Sequence, residues 1–199
     1  MNEQRKPHEQ TTGTAEAEGA AQAAPSADAE HASEAVGATA LPLVHRTVRP
    51  EWIDYNGHMS EAFYVLVFGY ATDAMMIEAG LHAGYRESTG CSLYTVESHL
   101  RYLRDVAEGS HLAVRTRLLG ADTKKARFCH ELYVVGAPDA EPEPDAAPAA
   151  TSELLALHVD QQAGRTAPFP GSVRERLTAL VEPAPAWAGR SITEVPAAR

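Results

Sequence analysis

The chain has 199 residues, 44% of them hydrophobic and 22% charged, with a formal net charge of −10. The length fits one domain with appendages, and the acidic balance argues against nucleic acid or a membrane surface as a partner. Only two cysteines are present, Cys91 and Cys129, which excludes a disulfide scaffold and a four-cysteine zinc site. No apolar run reaches the roughly 18–20 residues of a membrane helix. The polar start, MNEQRKPHEQ, leads into no apolar stretch, so a cytoplasmic protein with reduced thiols is expected.

Residues 1–40 hold twelve alanines, no aromatic, seven acids and two bases. Too little there can be buried to offset chain entropy, and a disordered acidic tail is expected. Residues 137–152 add four prolines and four acids without a base, the composition of an extended, disordered surface loop. These two segments carry nine of the ten net negative charges, leaving the intervening chain nearly neutral.

The expected folded part is 43–181, followed by a tail over 182–199. Leu43–Arg49 reads as a short strand stopped by Pro50. The turn-rich segment EWIDYNGHMS occupies 51–60, and Ser60 is placed to cap a helix starting at Glu61, where an acid suits the dipole. Residues 62–80 form the most apolar stretch, a helix expected to be wrapped on most sides. Gly69 within it costs about 1 kcal/mol against alanine, which a close backbone approach would explain. Gly80 is its expected stop.

A short helix or loop follows to Gly90. Strands are then expected over 92–103, 111–119, 126–135 and 153–161, with Leu112, Val114, Thr116 and Leu118 sharing one face. The short turns between the middle strands imply antiparallel neighbours. A terminal amphipathic helix is expected over 172–181. One sheet of about five antiparallel strands must then wrap one long helix, an α+β architecture with the outline of a hotdog fold. Such a sheet leaves a face or edge incomplete, so at least a homodimer is expected.

Asp54-Tyr55-Asn56-Gly57-His58-Met59-Ser60 is the sharpest local signal. It sets an acid, an amide and an imidazole before a helix N-terminus, whose first amides lack partners and suit a developing oxyanion. Gly57 permits close approach of backbone to a ligand. A carboxylate there can attack a carbonyl or activate water. The competing reading is a polar turn, with Asp54 as a cap and His58 as packing.

The order of strand, DYNGHMS, long apolar helix and strands resembles the hotdog thioesterases of the 4-hydroxybenzoyl-CoA thioesterase type, whose motif is D-x-N-G-H-M-N. Six of seven positions match. The likeness runs over 43–170 through SLYTVESHLRYLRDV, LLGADTKKARFCHEL, LLALHVD and AGRTAPFP. It is greatest to the thioesterases of carnitine breakdown, which cleave betainyl-CoA to glycine betaine and CoA. The resemblance implies an acyl-CoA substrate, a homodimer or homotetramer, and no cofactor. It casts Asp54 as nucleophile or general base, Asn56 and His58 as orienting groups, and amides near Gly57 and Glu61 as the oxyanion hole. Ser60 departs from the family asparagine and loses an amide contact.

Glu97, mid-strand in YTVESHLRY, is a second candidate acid, since related enzymes can take one across the dimer; a solvated strand face is the alternative. Trp52, Tyr55, Phe63, Tyr64, Tyr94 and Tyr102 cluster in sequence, and their rings suit either a quaternary ammonium or a core. Tyr64 and Tyr94 are the ring residues assigned to substrate. Arg101, Arg104, Lys124, Lys125 and Arg127 are candidates for CoA phosphates or for a solvated rim. No H-E-x-x-H, G-x-S-x-G, G-x-G-x-x-G or Walker loop occurs, so no metal site is expected. Two rival readings remain, a hotdog enoyl-CoA hydratase or dehydratase and a non-catalytic acyl-CoA-binding module.

Overall fold

The computed structural model describes residues 40–196. The tail expected up to residue 40 lies almost wholly outside the described residues, as do 197–199. The elements are β1 (Val44–Thr47), α1 (Glu61–Glu78), α2 (Ala83–Thr89), β2 (Cys91–Tyr102), β3 (His111–Ala121), β4 (Lys125–Val135), β5 (Ala150–Asp160), β6 (Arg165–Thr166) and α3 (Gly171–Ala179). A single turn of 3-10 helix, Pro50–Trp52, precedes α1. The strands form one antiparallel sheet in the order β1-β3-β4-β5-β2, with β6 paired to the end of β5.

The alternation in β3 works as read. Leu112, Val114, Thr116 and Leu118 are all buried. Opposite the last three stand Leu132, His130 and Phe128 of β4. Val67 and Phe68 of α1 share a core with Leu112, Val114 and Leu132. This is the inner face of the sheet. His130 is fully buried there, stacked 5.7 Å from Phe68, with Nε2 2.9 Å from Thr72 Oγ1 and Nδ1 2.9 Å from Thr116 Oγ1. Thr72 donates its hydroxyl to Phe68 O, so it must accept from Nε2–H, and Nδ1 accepts from Thr116. This chain of hydrogen bonds pins α1 to β3 and β4.

Three expectations need correction. First, β2 and β3 are not neighbours. Residues 103–110 carry the chain past β5 and β4, about three strand spacings, or roughly 14 Å. The crossing is anchored by Val106, which is buried and accepts from Met59 N–H at 2.8 Å. Second, α1 is covered on one face only. Tyr64, Val67, Phe68, Ala71 and Met75 are buried, whereas Val65 and Leu66 are exposed and Ile77 is 60% exposed. Third, Gly69 lies on that uncovered side, and a Cβ added there would meet nothing within 4 Å. A close approach within the chain does not account for it.

Other boundaries shift little. Ser60 is the N-cap of α1, but its side chain makes no capping bond. Gly80 has φ +86 just after the C-cap, as a helix stop requires. β5 starts at Ala150, ahead of the expected Glu153, because Ala150, Thr151 and Ser152 are buried against β4 and β2. The segment after α3 crosses the outer face of the sheet. Glu182 accepts from Arg115 at 3.0 Å and Arg117 at 3.2 Å, and Trp187 Nε1–H donates to Glu131 at 3.2 Å.

Candidate active site

The DYNGHM segment is a small hairpin before it is anything else. Gly57 N–H donates to Asp54 O and Asp54 N–H to His58 O, each at 3.0 Å, and Ile53 bridges Met59. Gly57 has φ +82 and closes a three-residue hairpin loop over Tyr55–Gly57, at the left-handed position that favours glycine. Asp54 is half-buried, and its Oδ1 accepts Asn56 N–H at 2.7 Å. Among the described residues Oδ2 makes no hydrogen bond. Asn56 and His58 are exposed, and Tyr55 is 96% exposed.

The hairpin leads directly into α1. Ser60 N–H donates to Trp52 O at 2.9 Å, which fixes the entry angle. The Gly57 amide is committed to the turn, so it is not free to meet an oxyanion. Among the described residues, the amides of His58 and Glu61 have no such acceptor. They are the donors available at the start of the helix.

A cleft of about 280 Å³ opens beside this helix end, lined by Met59, Glu61, Tyr64, Tyr102, Arg104 and Asp105, with Leu103 at its rim. The rings of Tyr64 and Tyr102 meet edge to face, 5.2 Å between centroids. Tyr64 is buried, and its hydroxyl donates to Arg104 O at 3.5 Å. Burial first, and then the Asp105 carboxylate, pushes the Tyr64 phenol above its ordinary pKa. Tyr102 is raised by burial and then by Glu61. Two aromatic rings and two carboxylates thus converge on one opening.

Asp54, Asn56, Gly57 and His58 lie outside the lining of this cleft, and the remaining candidates lie elsewhere in the chain. Leu154 is buried with the inner-face core, and its neighbour Leu155 points the other way. Glu97 pairs with Leu155, so it stands on the outer face, away from α1. His99 and Arg101 follow it on that face. Tyr94 joins them, because the register shift between Thr95 and Glu97 makes Val96 an extra residue. Its hydroxyl accepts from Gln161 at 2.7 Å. A single chain therefore does not bring Glu97 or Tyr94 onto the same face of the sheet as Asp54.

The aromatic cluster divides similarly. Trp52 stacks on Phe63 at 5.4 Å with Arg49 over its ring, which is packing. Only Tyr64 and Tyr102 line the cleft. Among the basic candidates, Arg127 is paired with Glu153, and Arg104 donates to Ala147 O at 2.5 Å. Asp105 escaped the sequence reading because it sits in a segment, DVAEGS, that looks like a plain turn. Among the described residues no group of three or more His, Cys, Asp or Glu side chains is placed to hold a metal, and no single helix is long and apolar enough to cross a membrane.

Comparison with known proteins agrees with this architecture. Residues 48–177 match the family model of the thioesterase-like superfamily. A betainyl-CoA thioesterase of Pseudomonas aeruginosa is 46% identical over 157 residues, 76% of this chain and 94% of that protein. An L-carnitine dehydrogenase/betainyl-CoA thioesterase of Agrobacterium fabrum is 43% identical over 78% of this chain, which spans only 31% of that longer protein. A Staphylococcus aureus protein solved in complex with CoA aligns at TM-score 0.69 and 25% identity, over 82% of this chain and 100% of that one. A candidate thioesterase of Pseudomonas putida KT2440 aligns at TM-score 0.64 and 38% identity, over 81% and 100%.

Proposed function

Because the chain belongs to the thioesterase-like superfamily and is an acyl-CoA thioesterase of the hotdog fold, we propose that betainyl-CoA is its substrate, cleaved to glycine betaine and CoA. The observation that carries this reading is the cleft at the start of α1. Tyr64 and Tyr102 offer ring faces and edges, and Glu61 and Asp105 supply negative charge. A trimethylammonium group cannot donate hydrogen bonds and is attracted by aromatic rings and carboxylates, each ring contributing about 0.5–2 kcal/mol. Arg104 also lines the cleft but donates to Ala147 O, and the two carboxylates leave the lining net negative. The likeness to betainyl-CoA thioesterases points to the same head group.

Asp54 is the proposed reacting acid. Its Oδ1 is held by Asn56 N–H, leaving Oδ2 as the reactive oxygen. Both routes open to a carboxylate, attack on the carbonyl carbon or removal of a proton from water, start at Oδ2. As the tetrahedral centre forms, the carbonyl oxygen gains charge beside the His58 and Glu61 amides. Collapse breaks the C–S bond. On the water route the thiolate takes back the proton that Asp54 removed. On the direct route it takes one from solvent, while water then cleaves the acyl–Asp54 anhydride to free the acid and the carboxylate.

We place Glu97 and Tyr94 in the site only through a second copy. β2 is an edge strand of twelve residues, paired on one side by β5. Its unpaired edge suits a homodimer, in which a partner's β2 runs antiparallel beside this one. The test of function is thiol release from betainyl-CoA and from 3,3-dimethylbutanoyl-CoA, its uncharged isostere. Betainyl-CoA is expected to be hydrolysed at least tenfold more efficiently. Equal efficiencies would reject the cationic substrate, and no release from either would reject the hydrolase.

A further inference from the structure

We infer that a groove between β2 and the segment after α3 binds the phosphate-bearing nucleotide end of CoA. The inference rests on the acyl-CoA reading above and extends it to the end of the ligand away from the thioester. The groove encloses about 670 Å³. His99 and Arg101 line it from the outer face of β2, and Arg190, Ser191, Ile192 and Thr193 line it from the terminal segment.

The terminal wall is built rather than loosely draped. Glu182 N–H donates to Leu118 O at 2.8 Å, and Trp187 is held by Glu131. Gly189 N–H donates to Glu153 Oε2 at 2.6 Å. Gly189 has φ +76, and a Cβ there would lie 3.5 Å from the Arg127 guanidinium. A side chain at 189 would strain the backbone, because φ is positive there. These anchors deliver Arg190 to the groove beside Arg101.

The lining is cationic in an acidic protein. No carboxylate lines the groove. The nearby Glu153 is already used, Oε1 by Arg127 and Oε2 by Gly189. Among the described residues neither Arg101 nor Arg190 is in an ion pair. Two guanidiniums and two hydroxyls offer the donors that phosphate oxygens need. Ile192, 86% exposed, gives an apolar surface on which a base can rest. Glu97 and Arg101 share the outer face of β2, four residues or about 13 Å apart. The extended pantetheine arm of CoA spans such a gap.

The test pairs binding with kinetics. Adenosine 3′,5′-bisphosphate is titrated by calorimetry into the full-length wild type, Arg101→Ala and Arg190→Ala. In parallel, kcat/KM is compared for betainyl-CoA and betainyl-pantetheine, which lacks the nucleotide. Each variant is expected to weaken bisphosphate binding about tenfold and to lower the CoA-to-pantetheine ratio by a similar factor. Trp187→Ala, which releases the segment from Glu131, is expected to lower the same ratio. Equal bisphosphate binding by all variants, or an unchanged ratio, overturns the groove. A wild type that favours neither ester overturns it too while leaving the hydrolase intact. Bisphosphate binding lost in Arg190→Ala, with no thiol released from any CoA ester, keeps the groove and removes the thioesterase reading.

Discussion

Asp54 Oδ1 accepts the backbone N–H of Asn56 at 2.7 Å. One oxygen of the carboxylate therefore shapes the turn that carries it, and the other remains for chemistry. The two roles separate by mutation. Asn at position 54 keeps an acceptor for the Asn56 amide but has no carboxylate to react. Asp54→Asn is expected to fold with an unchanged thermal midpoint and to lose at least 100-fold in kcat. Ala at 54 should also lose about 1 kcal/mol of stability with the turn bond. Thiol release and thermal unfolding on the same samples check both effects. Near-normal turnover by the Asn variant would remove Asp54 from the reaction.

The cleft at the start of α1 predicts a change of preference rather than a simple loss. Asp105→Asn removes a charge on a surface loop, and Tyr102→Leu removes a half-exposed ring. Each is expected to reduce the preference for betainyl-CoA over its uncharged isostere by about three- to tenfold, on the scale of one cation–π or charge contact. The ratio of kcat/KM for the two esters is the readout. Parallel losses on both esters would mean the residues shape the cleft without sensing charge.

His130 makes stability depend on pH in a definite direction. Burial pushes its imidazole down to about 3, whereas in the unfolded chain it titrates near the usual value of about 6.5. Between these values the unfolded chain holds the extra proton. Stability is therefore expected to fall as pH drops below about 6.5, with this group contributing up to about 1.4 kcal/mol per pH unit, and to be insensitive to it above. Other groups titrate in that range, so the check is a difference. Urea midpoints at pH 7.5, 6.0 and 5.0 for the wild type should fall more steeply than those of His130→Asn, which cannot titrate. Equal slopes would show that His130 carries no such penalty.

The open edge of β2 predicts an association. Sedimentation at micromolar concentration is expected to give at least twice the chain mass. Val96 is the exposed bulge residue on that edge, and lysine there is a common guard against edge pairing. Val96→Lys is expected to raise the dissociation constant at least tenfold and to reduce thiol release in parallel at low protein concentration. A wild type that is monomeric yet fully active would remove Glu97 and Tyr94 from the site.

The parts of the molecule legible in the residue order are those set by neighbours along the chain. Asn56-Gly57 announced a turn, the apolar run from Ala62 announced a helix, and Gly80 its end, because local torsions and nearby hydrogen bonds decide them. Alternation in β3 correctly told which side chains share a face. It did not tell which strands pair, since period-two patterns are the same for any partner. So β2 looked like a neighbour of β3, while Val106 carries the chain to the opposite side of the sheet. One extra residue, Val96, puts Tyr94 and Glu97 on the same outer face, a displacement no pattern count reveals. Asp105 and Arg190 gained their places only when distant segments met, at the start of α1 and beside β2. Contacts between residues far apart in the chain depend on how the sheet curls and crosses, and that is a property of the packed whole.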